Sequence, residues 1–368
     1  MSELLTQLQN EFPEYNFKEN HLLAPYTTVK IGGPAEAFYE AKDQDKLIKL
    51  LSFVKKNKLP LTMIGWGANI LISDKGVKGL VIRNVAGEIK VLDDNNPDKG
   101  EANLTKLDNE QASEIESRWN ADSSMGTFKY DFKDLNYDET DKDRVLVEID
   151  AGVSLNQAIV MLINQGITGL QWYARIPSTI GGAVYNNIHG GTHFLSEVIE
   201  SVTVMDENGE VRELSKDEIN LGYDQSRFHH SNETILSAKF NLFKGDTDKA
   251  KYVVKEWSKR KSIQPSNSLG CTFKNISNEE KEKLGYPTTS VGYIVEHVLG
   301  MKGFKIGEAT VSEYHCAFIE NKGQATAEDY LNVIKTIIKE AKLKTGLVIV
   351  PEIFFLGFDK SELEGIVS

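Results

Sequence analysis

Cysteine is nearly absent. Among 368 residues there are two, Cys271 and Cys316. Two distant cysteines cannot build a disulfide framework, and a reducing cytoplasm suits them best. An excess of positive charge is also missing. The net charge is −12, which argues against a nucleic-acid or anionic-membrane partner, because either would repel this surface. It leaves room for an anionic small molecule at a local basic site. No apolar window approaches the length of a membrane span. The opening stretch MSELLTQLQNEFPEY lacks a basic region followed by an apolar run, and reads as a short amphipathic helix rather than a signal peptide. The seven histidines form neither HExxH nor Cys/His pairs of zinc type, so no metal site is expected. His229 and His230 read as solvated loop. The GxGxxG fingerprint of classical dinucleotide binding is absent too.

What is present describes a globular protein of roughly two or three domains. From Asp43 to Asn57, Leu47, Leu50, Leu51 and Val54 recur at helical spacing and face away from lysines. Pro60 ends that helix, LTMIG reads as a buried strand, and GLVIRN reads as another. Residues 93–144 are acidic, polar and aperiodic. They read as a surface insertion, with a short helix near Gln111–Trp119. Order resumes with the strand VLVEIDAGVS and a helix over 155–165 headed by Ser154. VIESVTVMDENGEVREL reads as a hairpin turning at Asn208-Gly209. A helix opens the last unit at GDTDKAKYVVKEWSKRK. TAEDYLNVIKTIIKEAK is a strong helix with Thr326 and Asp329 placed as a capping box. LVIVPEIFFLGF reads as a final strand pair broken at Pro351.

Three glycine turns stand out: TTVKIGGPAEAF, GWGANIL and RIPSTIGGAVYNNIHGG. Glycine lets backbone N–H groups approach a ligand closely, and successive amides form anion-binding nests. Each turn alone is weak; two in adjacent segments suit the clamping of one diphosphate. His189 lies in the third turn, where turn polarity accounts for it. Cys271 lies at a break, GCTFKN. By itself it reads as a small buried filler. Glu352 follows Pro351 on a strongly apolar stretch, so its carboxylate must be paired, protonated or facing a cavity.

Taken in order, YTTVKIGGPA, IGWGANILIS, IPSTIGGAVYNN, GYDQSRF, GCTFKN, KGFKIGEATVSEYHCAFIENKGQATAEDY and PEIFFLGF resemble the UDP-N-acetylenolpyruvoylglucosamine reductase family. The resemblance spans about residues 20–357, interrupted by the acidic stretch. It implies an α+β fold: a two-subdomain FAD-binding unit of the vanillyl-alcohol-oxidase type, then an α+β substrate-binding domain. The expected bounds are 1–84, 85–244 (with the insertion 93–144) and 245–368. The implied cofactors are FAD, bound non-covalently, and NADPH. NADPH reduces the flavin, which passes a hydride to the enolpyruvyl double bond of a UDP-sugar in peptidoglycan precursor synthesis. A cytoplasmic monomer is expected.

By match, the flavin contacts are Gly65, Gly67, Ala68, Asn69 and Ile70 with Gly181, Gly182 and Asn187. Cys271 falls on the proton donor, a serine or cysteine in the family. A thiol with an ordinary pKa of about 8.5 is a far stronger acid than an alcohol. Glu352 matches the glutamate that assists enolate formation, and Lys274 and Asn275 match the substrate-binding region. Five positions depart from the pattern. Ala68 replaces a serine, and Ile263 a polar residue. Arg175 and Ser178 replace glycines. Asp224 stands where an arginine stabilises the enolate, and its charge has the wrong sign. Arg227 and Arg175 are candidates for the missing positive charge. Two alternatives stay open: another FAD-dependent oxidoreductase of the same superfamily, and a non-catalytic flavin-binding homologue.

Overall fold

The computed structural model describes residues 2–96, 135–262 and 264–366. The helix expected near Gln111–Trp119 and the departure at Ile263 lie outside the described residues.

The amphipathic N-terminal stretch forms α1 (Glu3–Glu11), which buries Leu5 and Leu8. The first sheet uses β1 (Lys18–Leu22), β2 (Pro34–Ala41), β3 (Leu61–Ile64) and β5 (Val77–Asn84) in the order β1-β2-β5-β3. β2 and β3 run parallel to β5, while β1 closes an antiparallel edge. Between β2 and β3 lies α2 (Gln44–Lys56). Its N-cap Asp43 accepts the Lys46 N–H at 2.9 Å. Its 3.6-residue periodicity buries Leu47, Leu50, Leu51 and Val54 completely, each contributing about 1.5–3 kcal/mol of transfer free energy.

The second sheet is wholly antiparallel. It holds β6 (Ile89–Asn96), β7 (Arg144–Asp150), β8 (Ile199–Met205), β9 (Val211–Ser215) and β10 (Thr234–Phe243) in the order β9-β8-β10-β7-β6. The β8–β9 hairpin turns where expected, with Gly209 at φ +80°. Across this sheet lie α3 (Leu155–Asn164), α4 (Ile180–Tyr185) and α5 (Thr247–Lys261). Ser154 heads α3 without a side-chain capping bond. The aperiodic stretch is shorter than its composition suggests. β6 continues to Asn96 by pairing with β7. At the other end, Leu135 is buried, and buried Glu139 accepts hydrogen bonds from Thr168 and Gln171. Partners far along the chain decide these two boundaries, against poor local strand propensity.

The third sheet is β11 (Ser268–Cys271), β12 (Lys305–Ile306), β13 (Ala309–Val311) and β14 (Phe318–Asn321), in the order β11-β14-β13-β12. The long helix α6 (Ala327–Thr345) packs on it through Tyr330, Val333, Ile334 and Ile337. Its capping box forms as expected from Thr326 and Asp329. Asp74, far away in the first unit, also accepts the Ala327 and Glu328 N–H groups at 3.0 and 3.2 Å. That carboxylate sits at the positive end of the helix and ties the first unit to the third.

The C-terminal apolar stretch differs from the expected strand pair. Residues 347–350 form no strand. Only β15 (Phe354–Leu356) does, and it pairs in parallel with β4 (Ile70–Ile72), in the first unit. Phe354 lies opposite Ile70 and Leu356 opposite Ile72. The chain end therefore returns to the GWGANIL turn, which positions the site.

Candidate active site

A cavity of about 1610 Å³ lies where the three units meet. Pockets for one small ligand span about 300–1,000 Å³, so this volume suits a cofactor and a substrate together. Gly65, Gly67, Ala68, Asn69, Ile70, Gly181, Gly182, Arg175, Cys271, Lys274, Asn275 and Glu352 all line it. Asn187 and Arg227 do not.

The GWGANIL turn follows β3. Gly67 has φ +68°, and a Cβ there would stand 2.1 Å from the Tyr26 carbonyl oxygen, so only glycine fits. The turn is fixed by its own carbonyls: Thr28 N–H donates to the Gly67 carbonyl at 3.0 Å, and Phe354 N–H to the Asn69 carbonyl at 2.9 Å. Among the described residues, nothing accepts the N–H groups of Trp66, Gly67 and Ala68. Consecutive unengaged amides beside a large cavity make an anion nest.

The second glycine pair behaves differently from the expected nest. Gly181 N–H is taken by the Ala151 carbonyl at 2.8 Å, and Gly182 N–H by Thr179 Oγ1 at 3.2 Å. These glycines serve by smallness. A Cβ on Gly181 would stand 3.0 Å from Ala151, and one on Gly182 3.0 Å from Ser178 Oγ. Asn187 is 2% exposed. Its Nδ2 donates to the Gly222 carbonyl at 2.8 Å and its Oδ1 accepts the Ser196 N–H at 2.9 Å. It holds the turn, and its neighbours Asn186 and Ile188 face the cavity instead.

The opposite wall is built by the Cys271 turn and the segment around Pro351. Gly270, at φ +81°, turns the chain, and Cys271 pairs across to Phe318. Thr272 N–H donates to the Ala317 carbonyl at 2.8 Å. Lys274 N–H donates to Val350 at 2.9 Å, and Glu352 N–H to Thr272 at 3.0 Å. Cys271, at the end of β11, and Glu352, in the segment that bridges to Phe273 through Pro351, are thereby held on adjoining segments, both half-buried. Asn69 Nδ2 reaches the Glu352 carbonyl at 3.3 Å, joining this wall to the glycine turn.

Burial pushes the Glu352 carboxyl well above the usual carboxylate range. The Asp224 charge pushes it the same way, and Lys274 opposes. Burial and Asp224 thus both favour the protonated form of Glu352. Asp224 lies 4.0 Å from His189 Nε2 and holds a left-handed backbone, φ +46°.

Arg227 is committed elsewhere. Its guanidinium forms a forked pair with Glu233 at 2.9 and 3.1 Å and donates to the Glu218 carbonyl. It is not the replacement cation at this site. His229 also departs from expectation. His230 is exposed, but the His229 ring packs against Tyr185 and Phe354, with centroids at 4.6 and 5.2 Å. Burial pushes its pKa down, so it is a neutral member of the cavity wall. The β15–β4 pairing brings Phe354 against it, a contact that no local pattern signals.

Nest, small-residue floor and acidic wall suit a flavin nucleotide beside a second ligand. The site is that of an FAD-dependent oxidoreductase. Residues 120–215 match the FAD binding domain model, and residues 263–356 match the C-terminal domain of UDP-N-acetylenolpyruvoylglucosamine reductase. The curated reductase of that name from Clostridium botulinum (strain Eklund 17B / Type B) is 27% identical over 95% of this chain and 96% of its own. The one from Clostridium tetani is 29% identical over 98% and 97%. The crystal structure of the reductase from Thermus caldophilus superimposes with a TM-score of 0.64 at 23% identity, covering 93% of this chain and 98% of that one, and shows the same fold. Along nearly its whole length the chain is thus similar to UDP-N-acetylenolpyruvoylglucosamine reductases, and its residues 263–356 match their C-terminal domain. Its fold is α+β, and the matched segment 120–215 is of the FAD-binding-domain kind.

Proposed function

We propose that the protein reduces the enolpyruvyl group of UDP-N-acetylglucosamine enolpyruvate to give UDP-N-acetylmuramate, with NADPH as reductant, in peptidoglycan precursor synthesis. It acts as a cytoplasmic monomer. Residues 1–84 and 85–244 form the two FAD-binding subdomains, and residues 245–368 the substrate-binding domain.

The Trp66–Ala68 amides would hold the FAD pyrophosphate, with the Gly181–Gly182 surface admitting the cofactor closely. Bound FAD supplies the hydride, taken from NADPH. Hydride addition to one alkene carbon leaves negative charge on its neighbour, delocalised into the substrate carboxylate. The protein's part is to meet that charge and deliver a proton. Cys271 gives its thiol proton to the second carbon. Glu352, kept protonated by burial and by Asp224, donates a hydrogen bond to the enolate oxygen instead of repelling it. Lys274, whose charge is felt by Glu352 and His229, supplies the positive field. Asn275 borders the substrate beside it.

The observation that carries this reading is the bond from Glu352 N–H to Thr272, which sets a protonated carboxyl beside the Cys271 turn on a cavity wall. The test is the visible spectrum of the purified protein, followed by NADPH oxidation with and without the enolpyruvyl substrate. Flavin bands and substrate-dependent oxidation are expected. Absence of flavin, with no uptake of added FAD, would overturn the reading.

A further inference from the structure

Two cations on the cavity wall have no part in the chemistry above. Arg175 lies in the loop after Gln171–Tyr173, and Lys261 is the last residue of α5. Both are held in place. Lys261 Nζ donates to the Ala174 carbonyl at 3.1 Å and sits 4.9 Å from the centroid of the buried Trp257 ring. Arg175 takes a left-handed backbone, φ +66°, uncommon for a side chain of its size. Its N–H is fixed by Asn156 Oδ1 at 2.6 Å.

Neither side chain pairs with a carboxylate among the described residues, in a chain with 54 acidic residues. The elements packed on α5 supply no counter-charge: α3 carries no ionisable side chain, and burial keeps Tyr173 neutral. Burial, and after it the Arg175 charge, pushes the Lys261 ammonium down to about 7. Two like charges on a partly desolvated wall, without a counter-ion, cost stability. A strained backbone that helps to hold them adds to that cost.

We infer that Arg175 and Lys261 form a cationic subsite that holds a phosphate or pyrophosphate group of a nucleotide in the cavity. The guanidinium offers a planar fork and the ammonium a point charge, the two geometries that recognise phosphate. The naming of the nucleotides rests on the function proposed above: FAD, NADPH and the UDP-sugar all carry this group. The subsite is built from other elements than the Trp66–Ala68 nest, on the wall of the same cavity. An arriving anion restores the Lys261 proton. Above pH 7, binding is therefore accompanied by uptake of up to about one proton.

The test is isothermal titration of the FAD-loaded protein at pH 8 with NADP⁺ and, separately, UDP-N-acetylglucosamine, in two buffers of different ionisation enthalpy. A third arm follows FAD release on dilution by flavin fluorescence. Lys261→Gln and Arg175→Gln are expected to weaken one of the three ligands at least about tenfold, the scale of one charged hydrogen bond. The ligand weakened identifies whose phosphate is held. The proton uptake should vanish in Lys261→Gln. Lys261→Arg should keep the affinity but lose the pH dependence, which separates charge from packing on Trp257. A wild-type protein without flavin would sink the proposed function. Flavin-loaded variants that bind all three ligands within twofold of wild type, with proton uptake intact, would overturn the subsite alone.

Discussion

Replacing Cys271 by alanine tests the proton donor. The thiol lies on a half-buried turn fixed by Gly270 and by the bond from Thr272 N–H to Ala317. Removing one sulfur atom leaves that backbone intact. The loss is then that of a positioned acid, about 10²–10⁴-fold, or about 2.7–5.4 kcal/mol of barrier. The structure favours the lower half of this range, because the Glu352 carboxyl, whose protonated form burial favours, remains on the adjoining segment. A loss near 10²-fold is therefore expected. Anaerobic stopped-flow separates the half-reactions. Flavin reduction by NADPH should run at the wild-type rate, while reoxidation by the enolpyruvyl substrate slows. Cys271→Ser should restore most of the rate. Reoxidation of Cys271→Ala within twofold of wild type would refute the donor assignment.

Asp224→Asn should move the alkaline limb of the pH–rate profile to lower pH. Glu352 acts protonated, so activity falls as pH rises through its pKa, and removing the Asp224 charge lowers that pKa; an unmoved limb would count against Glu352. Gly67→Ala should strip the flavin and lower Tm. The left-handed backbone costs about 1–2 kcal/mol, and the Cβ collides with the Tyr26 carbonyl; flavin content and a melting curve read both. Arg227→Ala should cost about 3 kcal/mol in denaturant unfolding, because the Glu233 side chain, 7% exposed, loses its partner. The same variant should leave reoxidation of the reduced enzyme unchanged.

Features with local causes were legible in the sequence. The α2 periodicity, the Asn208-Gly209 turn and the Thr326–Asp329 cap depend on residues a few positions apart, and each appears in the fold. The glycine turns were legible as turns, but the use of their amides was not. Gly181 and Gly182 donate within the protein, because Ala151 and Thr179 happen to approach them. Long-range pairing hid the rest. β15 returns to β4 across nearly the whole chain, and that alone brings Phe354 to His229 and Glu352 to Asn69. The Arg227–Glu233 pair lies six residues apart, but in a stretch without helical or strand periodicity no spacing rule exposes it. Lys261 reads as an ordinary basic helix end, and only its meeting with Arg175 marks it out.

The central claim is that this cavity couples a bound flavin to reduction of an enolpyruvyl UDP-sugar. Its most direct test is anaerobic mixing of the NADPH-reduced protein with UDP-N-acetylglucosamine enolpyruvate. The predicted result is return of the oxidised flavin spectrum, with UDP-N-acetylmuramate formed in step with the flavin reoxidised. A flavin that stays reduced in the presence of that substrate would contradict the account.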